Sequence, residues 1–251
     1  MRDPSGENAQ ATKYPGVSFI HRGLPVFKST MSRECPLQHA ATAYETAAKY
    51  PHLELKGVQM HIGSQLTQVI ARRVRECQVY SKIYHFATPA AQLQREGVVG
   101  IILSGGPASV YDDDAPRIAR EILTMGVPVL GICYGMQLVA DLLGGKVGRS
   151  EDREYGVARI RGQWGSPLFL GIEEFRHDME IPVWMSHGDR IDGLPKGFTS
   201  IARSGSSPVA AMSNHEGTIF GVQFHPEVVH TPRGREILAN FLFRVCGLSP
   251  D

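Results

Sequence analysis

Val127 to Gly145 reads VPVLGICYGMQLVADLLGG, and the order of residue types in it decides how the rest of the chain is read. Val127, Val129, Leu130 and Ile132 form an apolar run with the length of a buried β-strand. Leu138, Val139, Leu142 and Leu143 then recur at helical spacing until Gly144-Gly145 stops the helix. Between them stands Gly131-Ile132-Cys133-Tyr134-Gly135. A nucleophile with glycine two residues away on each side is the pattern of a nucleophile elbow, where strand and helix pass so close that flanking side chains would collide. The turn predicts Cys133 pushed outward with its sulfur exposed, at the amino end of a helix whose unpaired N–H groups and dipole stabilise negative charge. The plain alternative is a cysteine buried for packing, which has no need of two glycines around it.

The outer bounds agree with an enzyme-sized α/β domain. A chain of 251 residues, 42% of them hydrophobic, is enough for one substantial core with a smaller appended unit. Lys and Arg number 26 against 25 Asp and Glu, a formal net charge of +1, so there is no electrostatic footing for nucleic acid or an anionic membrane. The opening MRDPSGENAQ is polar, lacks a signal-peptide core, and is followed by no run of the roughly eighteen apolar residues that a span needs. The expectation is a soluble, cytoplasmic protein. Cys35, Cys77, Cys133 and Cys246 are scattered without C-x-x-C spacing, which suggests neither a zinc site nor a disulfide framework.

Upstream of the elbow, strand and helix signals alternate. Leu53 to Ile62 reads as a strand, Thr67 to Cys77 as a basic amphipathic helix, Val79 to Phe86 as a strand, Pro89 to Arg95 as a short helix, and Val98 to Leu103 as a strongly apolar strand. That alternation predicts a parallel sheet covered on both faces. Asp112-Asp113-Asp114 could tempt a metal reading, but Asp114 better caps a helix from Pro116 to Met125. Downstream the strands are shorter, at Gly156 to Arg161, Val183 to Ser186, Thr199 to Arg203, Val209 to Met212 and Thr218 to Phe224, and predict an antiparallel extension. A helix over Gly234 to Val245 closes the chain. Residues 1–50 read as an N-terminal extension: Met1 to Thr12 disordered, Tyr14 to Ser29 one short strand or an extended arm, and Pro36 to Tyr50 helical. Residues 51–248 form the main domain.

Cys133 needs a base, and ten histidines compete. His225 follows the strand TIFGVQF in the run Phe224-His225-Pro226-Glu227. In extended chain, residues two apart point the same way, so Glu227 can orient the imidazole of His225 and stabilise its charged form. His187, in Met185-Ser186-His187-Gly188-Asp189, is the rival, but no carboxylate stands at an equally suggestive spacing. It reads as a loop residue shaping the pocket. Ser104-Gly105-Gly106-Pro107 ends the strand Val98 to Leu103, where open α/β sheets place their ligands. Pro107 has no N–H, which leaves Gly106 and the amide of Tyr134 as donors for an oxyanion.

The segments SGGPASVYDDDAP, GVPVLGICYGMQLVADLLGGKV, REYG, VWMSHGDR and GVQFHPEVVHTPRGREILANFLF, in this order, resemble the class I (triad) glutamine amidotransferase domain of GMP synthase from about Gln68 to Gly247. The resemblance implies a flavodoxin-like, three-layer α/β fold with a mostly parallel sheet. It implies Cys133 as nucleophile, His225 as base, Glu227 as its orienter, and Gly106 and Tyr134 as the oxyanion hole. Gln137, Ser186, Gly188 and Asp189 would line a glutamine pocket, without a metal or cofactor. The partner implied is a GMP synthetase (ATP-pyrophosphatase) domain or subunit, which alone would bind ATP and magnesium and which would follow where this chain ends at Asp251.

The sequence departs from that family at its first strand. The segment Ala43 to Thr67, AYETAAKYPHLELKGVQMHIGSQLT, instead resembles a helix and strand of diaminopimelate decarboxylase, as if two chains were joined near Gly63 to Gln68. The cofactor-binding lysine motif of that enzyme is absent, so pyridoxal phosphate is not expected. A barrel strand is apolar and parallel, and can substitute as the first strand. The alternative reading is a catalytically silent, amidotransferase-like binding or regulatory protein.

Overall fold

Where apolar runs alternate with helical spacing in the sequence, strand alternates with helix in the chain. The computed structural model describes residues 17–20, 57–59 and 65–249. In order these form β1 (Val17–Ile20), β2 (Gly57–Gln59), α1 (Gln65–Glu76), β3 (Ser81–Tyr84), α2 (Ala90–Arg95), β4 (Gly100–Leu103), a 3-10 helix (Arg120–Thr124), β5 (Val129–Ile132) and α3 (Tyr134–Leu142). There follow β6 (Lys146–Gly162), α4 (Glu173–Arg176), β7 (Ile181–Gly193), β8 (Phe198–Ser204), β9 (Ala211–Asn214), β10 (Ile219–Val222), α5 (Gly234–Asn240) and a π-helical turn (Phe241–Val245).

The strands join one sheet in the order β2-β1-β4-β5-β10-β9-β8-β6-β7, with β3 paired to β1. Among the described strands the parallel pairs are β4 with β5 and β5 with β10. These three are buried on both faces, as parallel strands should be. Their side chains alternate between two cores. Ile102, Leu130, Ile132, Phe220 and Val222 pack with Ile70 and Val74 of α1 and Ile237 and Leu238 of α5. Ile101, Leu103, Val129 and Ile219 pack on the opposite face with Leu93 of α2, Ile122 of the 3-10 helix, and Met136 and Val139 of α3. Burial of each such side chain contributes about 1.5–3 kcal/mol, whereas a surface pair such as Arg72–Glu76 stays in solvent, where water and salt screen it. The covered faces therefore hold the sheet, and the mixed α/β layering agrees with the reading from sequence.

Four expectations need correction. The antiparallel part is the larger one, because Gly156 to Arg161 and Val183 to Ser186 are pieces of the long hairpin β6–β7. Pro116 to Met125 is not one helix: only Arg120–Thr124 is helical, capped at Ala119 with no side-chain bond, so Asp114 does not start it. The Pro116 carbonyl accepts the Tyr134 hydroxyl at 2.7 Å, and Arg117 donates to Asp141 Oδ2 at 2.7 Å, so long-range bonds hold this segment where local signals favoured a helix. Next to β4 lies β1, antiparallel through Val17 and Leu103, while the described residues of the stretch read as the first strand form β2, paired to β1. The strand expected in 98–103 and the closing helix fall where they were placed. The readings of Met1 to Thr12 and Pro36 to Tyr50, and most of the decarboxylase-like segment, lie outside the described residues.

Candidate functional site

The turn from β5 into α3 is as tight as its glycines suggest. A Cβ on Gly131 would sit 2.6 Å from the backbone of Gly135 and Met136, and one on Gly135 would sit 2.7 Å from the carbonyl carbon of Leu103 in β4. Cys133 takes φ 52 and ψ −108, a left-handed conformation that costs a non-glycine residue about 1–3 kcal/mol. Its N–H donates to Val222 O at 2.8 Å, which ties the strained residue to β10. The side chain reaches the floor of a cleft of about 460 Å3. Cys133 is only 3% exposed, so the sulfur is recessed there and not displayed on the surface as expected.

β10 delivers the second group. The His225 N–H donates to Trp184 O at 2.9 Å, and the Thr231 hydroxyl donates to His225 O at 2.7 Å while accepting the Trp184 N–H at 3.0 Å. His225 Nδ1 bonds Glu227 Oε1 at 2.8 Å, and His225 lines the same cleft as Cys133. Glu227 is fully buried, and its Oε2 has no hydrogen-bond partner among the described residues. Arg73 of α1 donates from Nε to the Glu227 carbonyl at 2.9 Å, and a Cβ on Gly234 would lie 2.7 Å from the carbonyl carbon of Pro226. The turn is thus clamped by α1 and α5. Burial opposes a charge on His225, but the Glu227 carboxylate and the Cys133 sulfur outweigh it and raise its pKa well above 6.5.

The Ser104–Pro107 turn closes over both groups. A Cβ on Gly105 would lie 2.8 Å from His225 Cε1 and 3.3 Å from Cys133 Cβ, so only glycine lets this backbone come so near. Gly106, Gln137, Ser186, Gly188 and Asp189 line the cleft with Cys133 and His225. Gln137 Nε2 donates to Asp189 O at 2.9 Å and to Gln223 Oε1 at 3.3 Å; Gln223 Nε2 in turn donates to Cys133 Sγ at 3.7 Å. Ser109 fixes the Asp189 carboxylate at 2.6 Å. The Tyr134 side chain is buried away from the cleft, and burial pushes its hydroxyl pKa up. Its backbone amide, in the first turn of α3, is the group the cleft can use.

His187 is not the partnerless loop residue that its neighbours in sequence suggested. The β6–β7 register sets Glu154 directly opposite, and Glu154 Oε2 meets His187 Nε2 at 3.0 Å. His187 Nδ1 donates to Asp189 O at 2.9 Å. Its pKa is lowered: burial dominates over the raising effect of Glu154, and the nearby His225 adds to burial. Sequence reasoning missed Glu154, Gln223, Thr231 and Ser109. Each carried the same signal, its place in a family-like segment: Ser109 in SGGPASVYDDDAP, Glu154 in REYG, and Gln223 and Thr231 in GVQFHPEVVHT. Among the described residues no group of three or more His, Cys, Asp or Glu is arranged to hold a metal, and no helix is long and apolar enough to cross a membrane.

The class-I glutamine amidotransferase family profile matches residues 58–245, starting ahead of Gln68 and within the segment compared above with a decarboxylase. The chain is 48% identical over 192 residues to the glutamine-hydrolyzing GMP synthase of Acetivibrio thermocellus, covering 76% of this chain and 37% of that protein. To the corresponding enzyme of Thermomicrobium roseum it is 52% identical over 193 residues, covering 77% of this chain and 35% of that protein. The chain therefore spans about a third of the length of these relatives. A Thermoplasma acidophilum structure assigned as one subunit of GMP synthase superposes with a TM-score of 0.64 at 32% identity, over 76% of this chain and 92% of that one. A glutamine amidotransferase from Thermotoga maritima shares the fold, with a TM-score of 0.56 at 19% identity, over 78% of this chain and 99% of that one. The chain belongs to the class-I glutamine amidotransferase family.

Proposed function

We propose that this chain hydrolyses glutamine to glutamate and ammonia, as the amidotransferase unit of a GMP synthase. The observation that carries the reading is the buried line from Glu227 through His225 to Cys133, bonded at 2.8 Å on the carboxylate side and ending on the strained elbow. His225 takes the thiol proton as Cys133 Sγ attacks the side-chain carbonyl carbon of glutamine. The backbone amides of Gly106 and Tyr134 hold the developing oxyanion. His225 then protonates the departing ammonia, leaving a γ-glutamyl thioester. Water, losing a proton to His225, cleaves the thioester to glutamate and restores Cys133. Glu227 keeps the ring in register and stabilises its charged form. Gln137, Ser186, Gly188 and Asp189 hold the substrate.

By likeness to the GMP synthases, the ammonia serves a synthetase (ATP-pyrophosphatase) domain or subunit in the cytoplasm, which binds ATP and magnesium and aminates adenylylated xanthosine monophosphate. The cover of 92% on the Thermoplasma chain supports an amidotransferase unit of this size. Glutamate release by the purified chain, with and without a GMP synthetase subunit, tests the proposal. Expected are weak hydrolysis alone, stimulation by the subunit, no GMP without it, and no hydrolysis by Cys133→Ala. Wild-type protein without glutaminase activity under both conditions, or Cys133→Ala protein that retains it, contradicts the reading.

A further inference from the structure

We propose that Glu154 is a positioning residue of the glutamine pocket, acting through His187 on Asp189. The inference rests on the glutaminase reading and deepens it. It starts from a defect in the sheet. Along β6–β7, Arg149 pairs with Asp189 and Glu154 with His187, so the register breaks between them and β6 bulges opposite Gly188. The pocket wall Ser186–Asp189 therefore lies where the ladder is interrupted. Side chains take over the missing backbone support. Asp189 O accepts both His187 Nδ1 and Gln137 Nε2, each at 2.9 Å, and Asp189 Oδ2 accepts the Ser109 hydroxyl. His187 is held in turn by Glu154 Oε2 at 3.0 Å, and Glu154 Oε1 accepts the hydroxyls of Ser204 and Ser206.

Burial distinguishes this pair from a surface ion pair. The side chains of His187 and Glu154 are 3% and 13% exposed, so removing either deprives a largely buried atom, His187 Nε2 or Glu154 Oε2, of its bond. The proton count follows from the bonds. His187 Nδ1 must carry a proton to donate to a carbonyl, so the contact between Nε2 and Oε2 holds one further proton, on one atom or the other. Glutamine at 154 reproduces every bond without the charge: its N–H donates to Nε2 of neutral His187, and its carbonyl accepts the serine hydroxyls. Leucine reproduces the volume and none of the bonds.

Steady-state glutaminase kinetics of the whole chain separate the possibilities, with glutamine binding measured by calorimetry in a Cys133→Ala background. Glu154→Leu should raise KM and Kd about tenfold or more while kcat stays within about threefold, because the lost bonds fix the pocket and not the reacting atoms. Glu154→Gln should restore both constants to within about twofold of wild type. Should Glu154→Leu fail to fold, the double variant Ser204→Ala, Ser206→Ala carries the test, with an expected rise in KM of about threefold. Wild-type turnover with unchanged KM and Kd in Glu154→Leu, or unchanged KM and Kd in a double variant used in its place, overturns the inference and leaves the glutaminase reading standing. A fall confined to kcat, or a Glu154→Gln variant as impaired as Glu154→Leu, overturns it as well. Wild-type protein that neither hydrolyses nor binds glutamine overturns both.

Discussion

Two histidine–glutamate pairs flank the cleft, and by distance alone they are nearly alike. His225 is 3% exposed with Glu227 at 2.8 Å; His187 is 5% exposed with Glu154 at 3.0 Å. Their proton affinities nevertheless move in opposite directions. The difference lies in what else each ring meets. His225 gives Nδ1 to Glu227 and shares the cleft beside Gly105 with Cys133, whereas His187 spends both nitrogens on groups that only hold it in place. A carboxylate partner does not by itself make a base. In the proposed mechanism the difference is the cysteine that shares the cleft with His225.

The largest expected effect breaks the two histidines apart in turnover. His225→Ala should lower kcat by about 10²–10⁴-fold, the usual contribution of a positioned acid–base group, while His187→Ala should act mainly on KM. Glu227→Gln should fall between them, since it keeps the ring near its place but withdraws the charge that supports its protonated form. A larger loss of kcat in His187→Ala would exchange the two roles.

A smaller effect concerns how the first pair is held. Thr231→Val removes a hydroxyl that both donates to His225 O and accepts from Trp184 N, in a site 3% exposed. Stability should fall by about 1–3 kcal/mol, the cost of stranding buried polar groups, measured by thermal or urea unfolding. An unchanged unfolding midpoint would mean that the remaining contacts, among them Arg73, Gly234 and the His225 N–H to Trp184 O bond, hold the turn without the hydroxyl.

The smallest effect is a difference in sign with pH. His225, with its folded pKa raised, contributes stability that is fully present below about 6.5 and is lost as pH rises through the folded value. His187, with its folded pKa lowered, contributes stability that is present above about 6.5 and is lost as pH falls towards the folded value. The stability difference between wild type and His225→Asn should therefore shrink with rising pH, and that for His187→Asn should shrink with falling pH. Unfolding midpoints between pH 5 and 9 give both slopes, and slopes of the same sign would erase the distinction.

The same comparison explains what a reader of the sequence can see. His225 and Glu227 stand two residues apart in an extended run, and the elbow announces itself through Gly131 and Gly135, so local geometry was enough for both. His187 and Glu154 are thirty-three positions apart and meet through a hairpin register interrupted by a bulge. No local pattern encodes that register. The buried strands β4, β5 and β10 were legible from their apolar runs, but the extent of β6 and β7 was not, because polar residues continue the pairing past the apolar stretches. At Pro116 and Arg117 the local signal was overruled by bonds to Tyr134 and Asp141, which come from tertiary structure. The place of β1 beside β4 depended on pairing across more than eighty residues, which no local reading reaches.

The central claim is that this cleft activates Cys133, and no other thiol, towards a glutamine amide. Mass spectrometry after exposure to a diazoketone analogue of glutamine tests it most directly. The account predicts one adduct, on Cys133, slowed by free glutamine and strongly slowed in His225→Ala but not in His187→Ala at saturating reagent. Labelling spread over Cys35, Cys77 and Cys246, or a Cys133 adduct that forms equally fast without His225, would contradict it.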